Sequence, residues 1–202
     1  MTIKNVALAG ALAVLLIACG SENRTGQPET DTTGSVQSET AVDTASATTT
    51  GMTGGTSTIM SNEDKDFVIK AGMGGLAEVQ MGNLALQKAS NADVKAFAQR
   101  MVTDHSKANA ELAQLATTKG LALPTELADA HKSGYEHLNG LSGAEFDKAY
   151  MQHMVADHET AVADFDKAST SATDADLKAW AGKTLPALKE HLELAKTTAR
   201  KV

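Results

Sequence analysis

Two histidines in this chain end the same eleven-residue pattern, which reads Lys-Ala-aromatic-x-Gln-x-Met-Val-x-Asp-His. The first copy spans residues 95–105 and ends at His105, and the second spans 148–158 and ends at His158. In both copies the aromatic residue, the methionine and the histidine are four positions apart, so on a helix they share one face. An apolar helix face packs without a histidine. The repeated imidazole therefore indicates a task beyond packing.

A carboxylate and a third imidazole are expected at the same place. Glu78 lies among glycines and alanines, which predicts close approach of another helix and burial of its carboxylate. Near the C-terminus, His191 shares a helix face with several leucines. A rise of about 1.5 Å per residue gives the height of each side chain along a four-helix bundle. The carboxylate of Glu78 and the three imidazoles of His105, His158 and His191 fall at one level if segment 120–142 crosses the length of the bundle. If it does not cross, their heights still agree to within about 8 Å.

Three imidazoles and one carboxylate form a ligand set that suits zinc, copper or iron. The predicted site therefore binds one transition-metal ion. The alternative is a metal-free layer in which the carboxylate and the imidazoles form a buried hydrogen-bond network. The acidic residues next to the histidines point about 100° away from them round the helix. They are therefore expected to support the ligating histidines, or to serve as alternate ligands. The predicted ligands are Glu78, His105, His158 and His191, and the supporting or alternate residues are Asp104, His153, Asp157 and Glu190.

The fold predicted to position these residues is all-α: a ferritin-like four-helix bundle with a short connecting helix between helices 2 and 3. Apolar periodicity places the long helices at about 62–89, 91–119, 143–169 and 174–200, and the short helix at about 125–139. His131 and His137 on the short helix are expected to face solvent. A Ser or Thr followed three residues later by an acid is expected to cap each long helix, at Ser61, Ser90, Ser142 and Thr173.

The chain also repeats on a larger scale. Residues 88–98 match residues 167–181 when four inserted residues are allowed, so a loop and the helix after it occur twice. Upstream, Phe67 and Glu78 align with Phe146 and Asp157. The pattern predicts a helical hairpin used twice in a pseudo-symmetric bundle.

The N-terminal third indicates export. Residues 1–18 read as a secretory signal that ends in small residues before Cys19, the only cysteine, which predicts lipidation there and a membrane partner through that lipid anchor. Residues 19–60 read as a Thr/Ser/Gly-rich disordered tether, and 61–202 as the bundle. Gly20 after Cys19 is similar to the outer-membrane sorting pattern, so the expected location is the outer membrane, facing the periplasm. The formal net charge of −7 argues against a nucleic-acid partner.

These features together resemble the bacterial domain-of-unknown-function family 4142. The resemblance rests on the lipobox and tether, the helix with Phe67 and Glu78, the Met-Val-x-Asp-His of helix 2, His153 to His158, and Leu185-Pro186 before His191. It implies a ferritin-like bundle in an exported or outer-membrane protein, and it implies no activity.

Ferritin-like kinship raises the question of a di-iron site, which uses Glu-x-x-His motifs. The residues three before the histidines are Val102, Val155 and Leu188, so the motif is absent and a di-iron centre is not expected. The sequence contains no nucleophile–base pair, phosphate loop or cofactor motif, which favours a binding or structural role over catalysis.

Overall fold

The structure is a computed structural model in which residues 60–202 are described. The predicted signal peptide, Cys19 and the tether up to residue 59 lie outside this part. Residues 60–202 contain five α-helices and no strand, which confirms the all-α prediction. None of the described helices is both long and apolar enough to cross a membrane. The helices are α1 (Asn62–Lys88), α2 (Ala92–Thr118), α3 (Asp129–Asn139), α4 (Gly143–Ser171) and α5 (Ala175–Ala199).

The four long helices pack as two hairpins, α1 with α2 and α4 with α5, and α1 also lies beside α4 and α2 beside α5. The end of α1 lies at the start of α4, because Lys88 Nζ donates to the carbonyl oxygens of Asn139 and Leu141. Helix α4 therefore runs antiparallel to α1, and the segment containing α3 crosses the length of the bundle. A single long crossover is the connection found in ferritin-like folds.

Two buried aspartates tie the hairpins together at opposite ends. Asp64 in the first turn of α1 accepts hydrogen bonds from the backbone N–H of Thr173 at 3.1 Å and of Asp174 at 2.8 Å. Asp147 near the start of α4 receives the same pair of bonds from the α1–α2 turn, from Ser90 N–H at 3.0 Å and from Asn91 N–H at 2.9 Å. Asp147 follows Asp64 by 83 residues, and Thr173 follows Ser90 by the same 83 residues. The same hairpin therefore occurs twice, and the aspartate of each copy binds the turn of the other copy.

The separation of 83 residues also holds for the aromatic packing, and it corrects part of the sequence alignment. The ring centroids of Phe67 and Trp180 are 6.4 Å apart, and those of Tyr150 and Phe97 are 6.2 Å apart. Phe67 therefore corresponds to Tyr150 and not to Phe146, one helical turn away. The sequence alignment of α1 with α4 was wrong because Ala- and Lys-rich helices match each other at several registers.

The helix starts were predicted to within two residues for the long helices, but the capping residues were mostly wrong. Only Ser61 caps as expected, by accepting from the backbone N–H of Asp64 at 3.1 Å. Helices α2 and α5 are capped one residue later than predicted, by the side chains of Asn91 and Asp174. Ser142 makes no side-chain capping bond. Helix α3 begins at Asp129, so residues 125–128 lie outside it.

Close approach of α1 and α2 was correctly predicted from the glycines. A Cβ atom at Gly75 would lie 2.0 Å from Asn109 Oδ1, and one at Gly82 would lie 2.8 Å from a Val102 methyl. At Gly82 the backbone oxygen of Ala98 also lies 3.3 Å from the added Cβ, so this glycine lets α2 approach closely, whereas at Gly75 the Asn109 side chain could turn aside. Gly74 differs, because a Cβ there would meet nothing within 4 Å.

The core forms two apolar clusters with a polar layer between them. One cluster includes Phe97 and Tyr150 together with the methionines Met81, Met101 and Met154, which supports a packing role for these methionines. The other cluster contains Phe165 and Trp180 among its members. Along α2 and α4, the histidines at 105 and 158 fall between the residues of the two clusters. The predicted Glu/His layer thus lies at mid-height in the bundle.

Candidate metal centre

The four predicted ligands come from four different helices and meet inside the bundle. The exposed fractions are 5% for Glu78, 7% for His105, 0% for His158 and 2% for His191. The centroids of the three imidazole rings are 5.3 to 5.6 Å apart. One ring nitrogen from each histidine can be chosen so that the three atoms all lie within 4.8 Å of one another. Among the described residues, these three histidines form the group whose possible ligand atoms are close enough together to hold one metal ion.

Glu78 places a negative charge against two of the rings. Its Oε2 lies 2.7 Å from His105 Nε2, and its Oε1 lies 3.4 Å from His158 Nδ1. Burial opposes ionisation of Glu78, but the neighbouring histidines outweigh burial and lower its pKa to about 2. Burial also lowers the pKa of His105, and the Glu78 carboxylate more than compensates, so the His105 pKa is raised. The layer therefore contains a carboxylate and, in the metal-free protein, an imidazole that favours its charged form.

His191 is held by a chain of contacts that leads to the protein surface. Its Nε2 lies 2.8 Å from Asp104 Oδ2, and Asp104 in turn accepts from Arg100 Nε at 3.2 Å. Arg100 also pairs with the exposed Glu190 at 2.8 Å. Burial and the other two histidines lower the pKa of His191 to about 4, against the opposing effect of Asp104. His191 is therefore neutral at physiological pH, as a metal ligand must be.

Backbone geometry fixes the ring of His158. Its Nδ1 lies 2.9 Å from the carbonyl oxygen of Met154, one turn earlier on α4. That contact leaves Nε2 of His158 for another partner, and this buried atom has none among the described residues. The same holds for Nδ1 of His191. Nε2 of His105 is also buried, but the Glu78 carboxylate lies 2.7 Å from it.

His158 and His191 thus each have a buried ring nitrogen without a polar partner, and each ring is oriented through its opposite nitrogen. Metal-bound histidines have this arrangement: one nitrogen coordinates and the other bonds to a carboxylate or a carbonyl. The ligand nitrogens around a tetrahedral zinc or copper ion would be about 3.3 Å apart, given metal–nitrogen distances of roughly 2.0–2.1 Å. The observed upper limit of 4.8 Å requires the rings to move inward by only a small distance.

The predicted supporting residues differ in whether they contact the Glu/His layer. Asp104 contacts the layer through His191, whereas Asp157 pairs with His153 at 3.0 Å, on the same helix. Hydrogen bonding to Asp157 raises the pKa of His153 despite its partial burial. Glu190 contacts Arg100 at the surface and reaches the layer only through that chain.

Sequence reasoning missed three parts of the site. Arg100 was not singled out, although its spacing of four residues from Asp104 is the usual one for a helical ion pair. The carbonyl of Met154 could not be found from side-chain types. His131 was expected to face solvent with His137, but only His137 is exposed; His131 is half-buried and lines a cavity beside the layer.

The cavity has a volume of about 200 Å³ and is bounded by α1, α2, α4 and α5, with His131 contributed from α3. Most of its wall is apolar, and Glu78, His105 and His191 form part of the polar remainder. The Glu/His layer therefore adjoins a cavity among the four helices that is partly open to solvent.

The fold and this site define a class: an antiparallel α-helical bundle with one crossover connection and a buried layer of one carboxylate and three imidazoles. The chain belongs to the family described as "Domain of unknown function (DUF4142)", whose model matches residues 49–198. The resemblance found in the sequence is thereby confirmed. No curated protein is significantly similar in sequence to this chain.

Three solved structures are similar in fold. A DUF305 fragment from Deinococcus radiodurans aligns with a TM-score of 0.63 and 10% identity, covering 71% of this chain and 99% of the fragment. CopM in the Cu(I)-bound form aligns with a TM-score of 0.58 and 16% identity, and CopM in the Cu(II)-bound form with 0.55 and 15%. Each CopM alignment covers 68% of this chain and 96% of CopM. At these identities the similarity establishes the helical fold alone.

Proposed function

We propose that this protein binds one transition-metal ion in the Glu/His layer and serves in metal sensing, buffering or protection of the cell envelope. The ligands are His105, His158 and His191, with Glu78 as the fourth ligand or as the charge that neutralises the ion. One observation carries the proposal: one ring nitrogen from each of three buried imidazoles lies within 4.8 Å of the other two, and Nε2 of His158 and Nδ1 of His191 have no polar partner among the described residues. Leaving such nitrogens buried and unpaired costs about 1–3 kcal/mol each, which a bound cation would recover.

Copper is the metal that we propose first. Imidazole ligands suit zinc, copper, iron and nickel, so the ligand types alone do not choose among them. Support for copper comes from the similarity of the bundle to CopM in its Cu(I)- and Cu(II)-bound forms. A di-iron site is not proposed, because Val102, Val155 and Leu188 stand where its glutamates would be required.

The cellular setting that we propose is the periplasmic side of the outer membrane. The support is the sequence pattern of residues 1–20, with a lipid on Cys19 as the membrane anchor and the following residues as a tether. A metal-binding bundle in that position would intercept ions before they reach the inner membrane.

The experiment that tests metal binding uses the full chain purified without an affinity tag, because a histidine tag would itself bind metal. The protein is equilibrated with Cu(II), with Cu(I) under reducing conditions, or with Zn²⁺, and metal is counted after desalting. We expect about one ion per chain. His158→Ala should abolish binding, whereas His137→Ala, which removes an exposed histidine from α3, should leave it unchanged. Binding that survives His158→Ala would overturn the proposal.

A second candidate function is structural, and one contact favours it. Glu78 Oε2 lies 2.7 Å from His105 Nε2, so part of the layer is already paired without a metal. In that case the layer would fix the register of the helices in a scaffold or interaction protein. The thermal unfolding midpoint would then be indifferent to chelators and to added metal, whereas a metal site predicts a midpoint that rises with one metal.

A further inference from the structure

We propose that the cavity beside the Glu/His layer binds a small, uncharged, planar aromatic molecule, and that it does so without a metal. The cavity shares Glu78, His105 and His191 with the proposed metal centre, but the aromatic ligand would be held by a different part of the wall, and binding is measured on the metal-free chain. Its test is therefore independent of whether metal binds.

The cavity exists because the duplicated hairpin differs in side-chain size at matching positions. Residues that correspond across the two halves are 83 positions apart, as the two aspartate anchors show. Each residue of the Glu/His layer has a counterpart 83 positions away, in the other hairpin. The four counterparts are one glycine, two alanines and a leucine, and all of them line the cavity: Gly75, Ala108, Ala161 and Leu188. The space is thus the pseudo-symmetric counterpart of the Glu/His layer, with three small residues and one leucine in place of four large polar side chains.

The size and polarity of the cavity match a single ring. Its volume is about 200 Å³ and most of its lining is apolar. An apolar cavity of about 150 Å³ in another protein stays dry and binds benzene. A drug-sized ligand needs a pocket of about 300 Å³ or more. The space in this bundle therefore fits a benzene-sized molecule with one or two substituents.

One wall of the cavity is aromatic, which selects a planar ligand. The rings of Phe67 and Phe165 pack edge to face with centroids 5.0 Å apart, and the ring of Trp180 lies 5.2 Å from that of Phe165. Aromatic rings recognise other rings through such edge and offset contacts. Trp180 Nε1 is itself buried, so a ligand in the cavity would contact the rings of this wall and not the indole N–H.

The charges on the wall favour an uncharged ligand. Lys70 and Asp164 both line the cavity and pair with each other at 2.6 Å, so neither is available to balance a ligand charge. The Glu78 carboxylate at the other side disfavours an anion. Phenol meets all the requirements, since it is uncharged at neutral pH, planar and of one ring.

Trp180 is the only tryptophan in the chain, so its indole N–H gives one resonance in a proton–nitrogen correlation spectrum. We would titrate the metal-free full chain with phenol and follow that resonance, using cyclohexanol as a control that has the hydroxyl group but no planar ring. The expected result is a saturable shift with phenol and at least about tenfold weaker binding of cyclohexanol.

Two variants fill the cavity from different helices. Gly74→Leu adds a side chain where a Cβ meets nothing within 4 Å, and it also improves helix propensity, so the variant should fold. Ala161→Leu fills the space from α4 and provides an independent check. Both should weaken phenol binding at least about tenfold, while Gly74→Ala, which adds only a methyl group, should weaken it less. An absent shift in the wild type, or a shift that neither leucine variant reduces, would overturn the proposal.

Discussion

Asp104 and His191 meet across the α2–α5 interface, with Asp104 Oδ2 2.8 Å from His191 Nε2. Asp104 is half-exposed and His191 is buried, so the contact joins the protein surface to the Glu/His layer. A carboxylate that bonds one imidazole nitrogen directs the other nitrogen toward a metal and increases its basicity. The two Asp-His pairs of the repeated motif therefore differ: Asp104 of α2 contacts a histidine of the layer, whereas Asp157 of α4 pairs with His153 on its own helix.

Replacement of Asp104 by asparagine should weaken metal binding without abolishing it. The change removes the charge that orients His191, and loss of such a contact typically costs roughly 10- to 100-fold in metal affinity. Competition with a chelator of known affinity measures the effect. Asp157→Asn makes the same change in the second copy of the motif and should leave the affinity within about twofold. Equal losses in the two variants would show that His191 is not oriented through Asp104.

Metal binding near neutral pH should release protons. Burial lowers the pKa of His105, but the Glu78 carboxylate outweighs burial and raises it, so the metal-free protein retains a proton on His105 to higher pH than an ordinary histidine does, and a cation must displace that proton. Affinity should therefore fall as pH is lowered through the pKa of His105. Calorimetric titration in two buffers of different ionisation enthalpy measures the release, and we expect up to about one proton per ion. An enthalpy of binding that does not depend on the buffer would contradict the assignment of His105 as a ligand.

Glu78→Gln should destabilise the metal-free protein by about 3 kcal/mol, because it removes one partner from a buried ion pair. The pKa of Glu78 is lowered to about 2, so its contribution is fully present above pH of about 4 and is lost as pH falls toward 2. Urea unfolding at neutral pH and at acidic pH measures both effects. Glu190→Gln alters an exposed glutamate and should leave the free energy of unfolding close to that of the wild type. Equal stabilities of wild type and Glu78→Gln at neutral pH would show that the pair contributes nothing.

Asp174→Asn should separate charge from capping at the start of α5. Asparagine caps well, as Asn91 does at the corresponding position of α2, so the variant loses mainly the 2.6 Å contact with Lys119. We expect a loss of about 1–2 kcal/mol in the free energy of unfolding at neutral pH.

The pH dependence of this loss provides a check. Burial opposes ionisation of Asp174, but Lys119 outweighs burial and lowers its pKa. The contribution is therefore present above an ordinary aspartate pKa of about 4, and the difference between wild type and variant should shrink as pH falls below it. Asp176→Asn removes an exposed partner of the same lysine and should cost less than about 1 kcal/mol. A difference that does not change with pH would mean that capping, and not charge, is affected.

The sequence predicted the helices and the members of the polar layer because both follow from helical periodicity. A spacing of four residues puts Phe97, Met101 and His105 on one face, and glycines beside Glu78 indicate close packing. The direction of α4 could not be predicted in this way. Each of the four residues lies near the middle of its helix, so a reversal of α4 leaves His158 at almost the same height. Contacts at the ends of helices, such as Lys88 with Leu141, decide the direction.

The supporting residues and the cavity depend on neighbours that are distant in sequence. Asp104 and Asp157 have the same local pattern, and only the position of His191 on α5 makes one of them part of the layer. The cavity is lined by small residues at matching positions in three of the four long helices, Gly75, Ala108 and Ala161. The contacts of Asp64 and Asp147 establish which residues of the two hairpins correspond. The alignment made from the repeated sequence alone was one helical turn out of register for α1 and α4.

Anomalous diffraction at the copper absorption edge, from crystals of the full chain grown with copper, tests the metal centre most directly. The predicted result is one strong peak among His105, His158 and His191, at roughly 2.0–2.1 Å from one nitrogen of each ring after refinement. Peaks found only at exposed histidines such as His137, with none in the layer, would contradict the account.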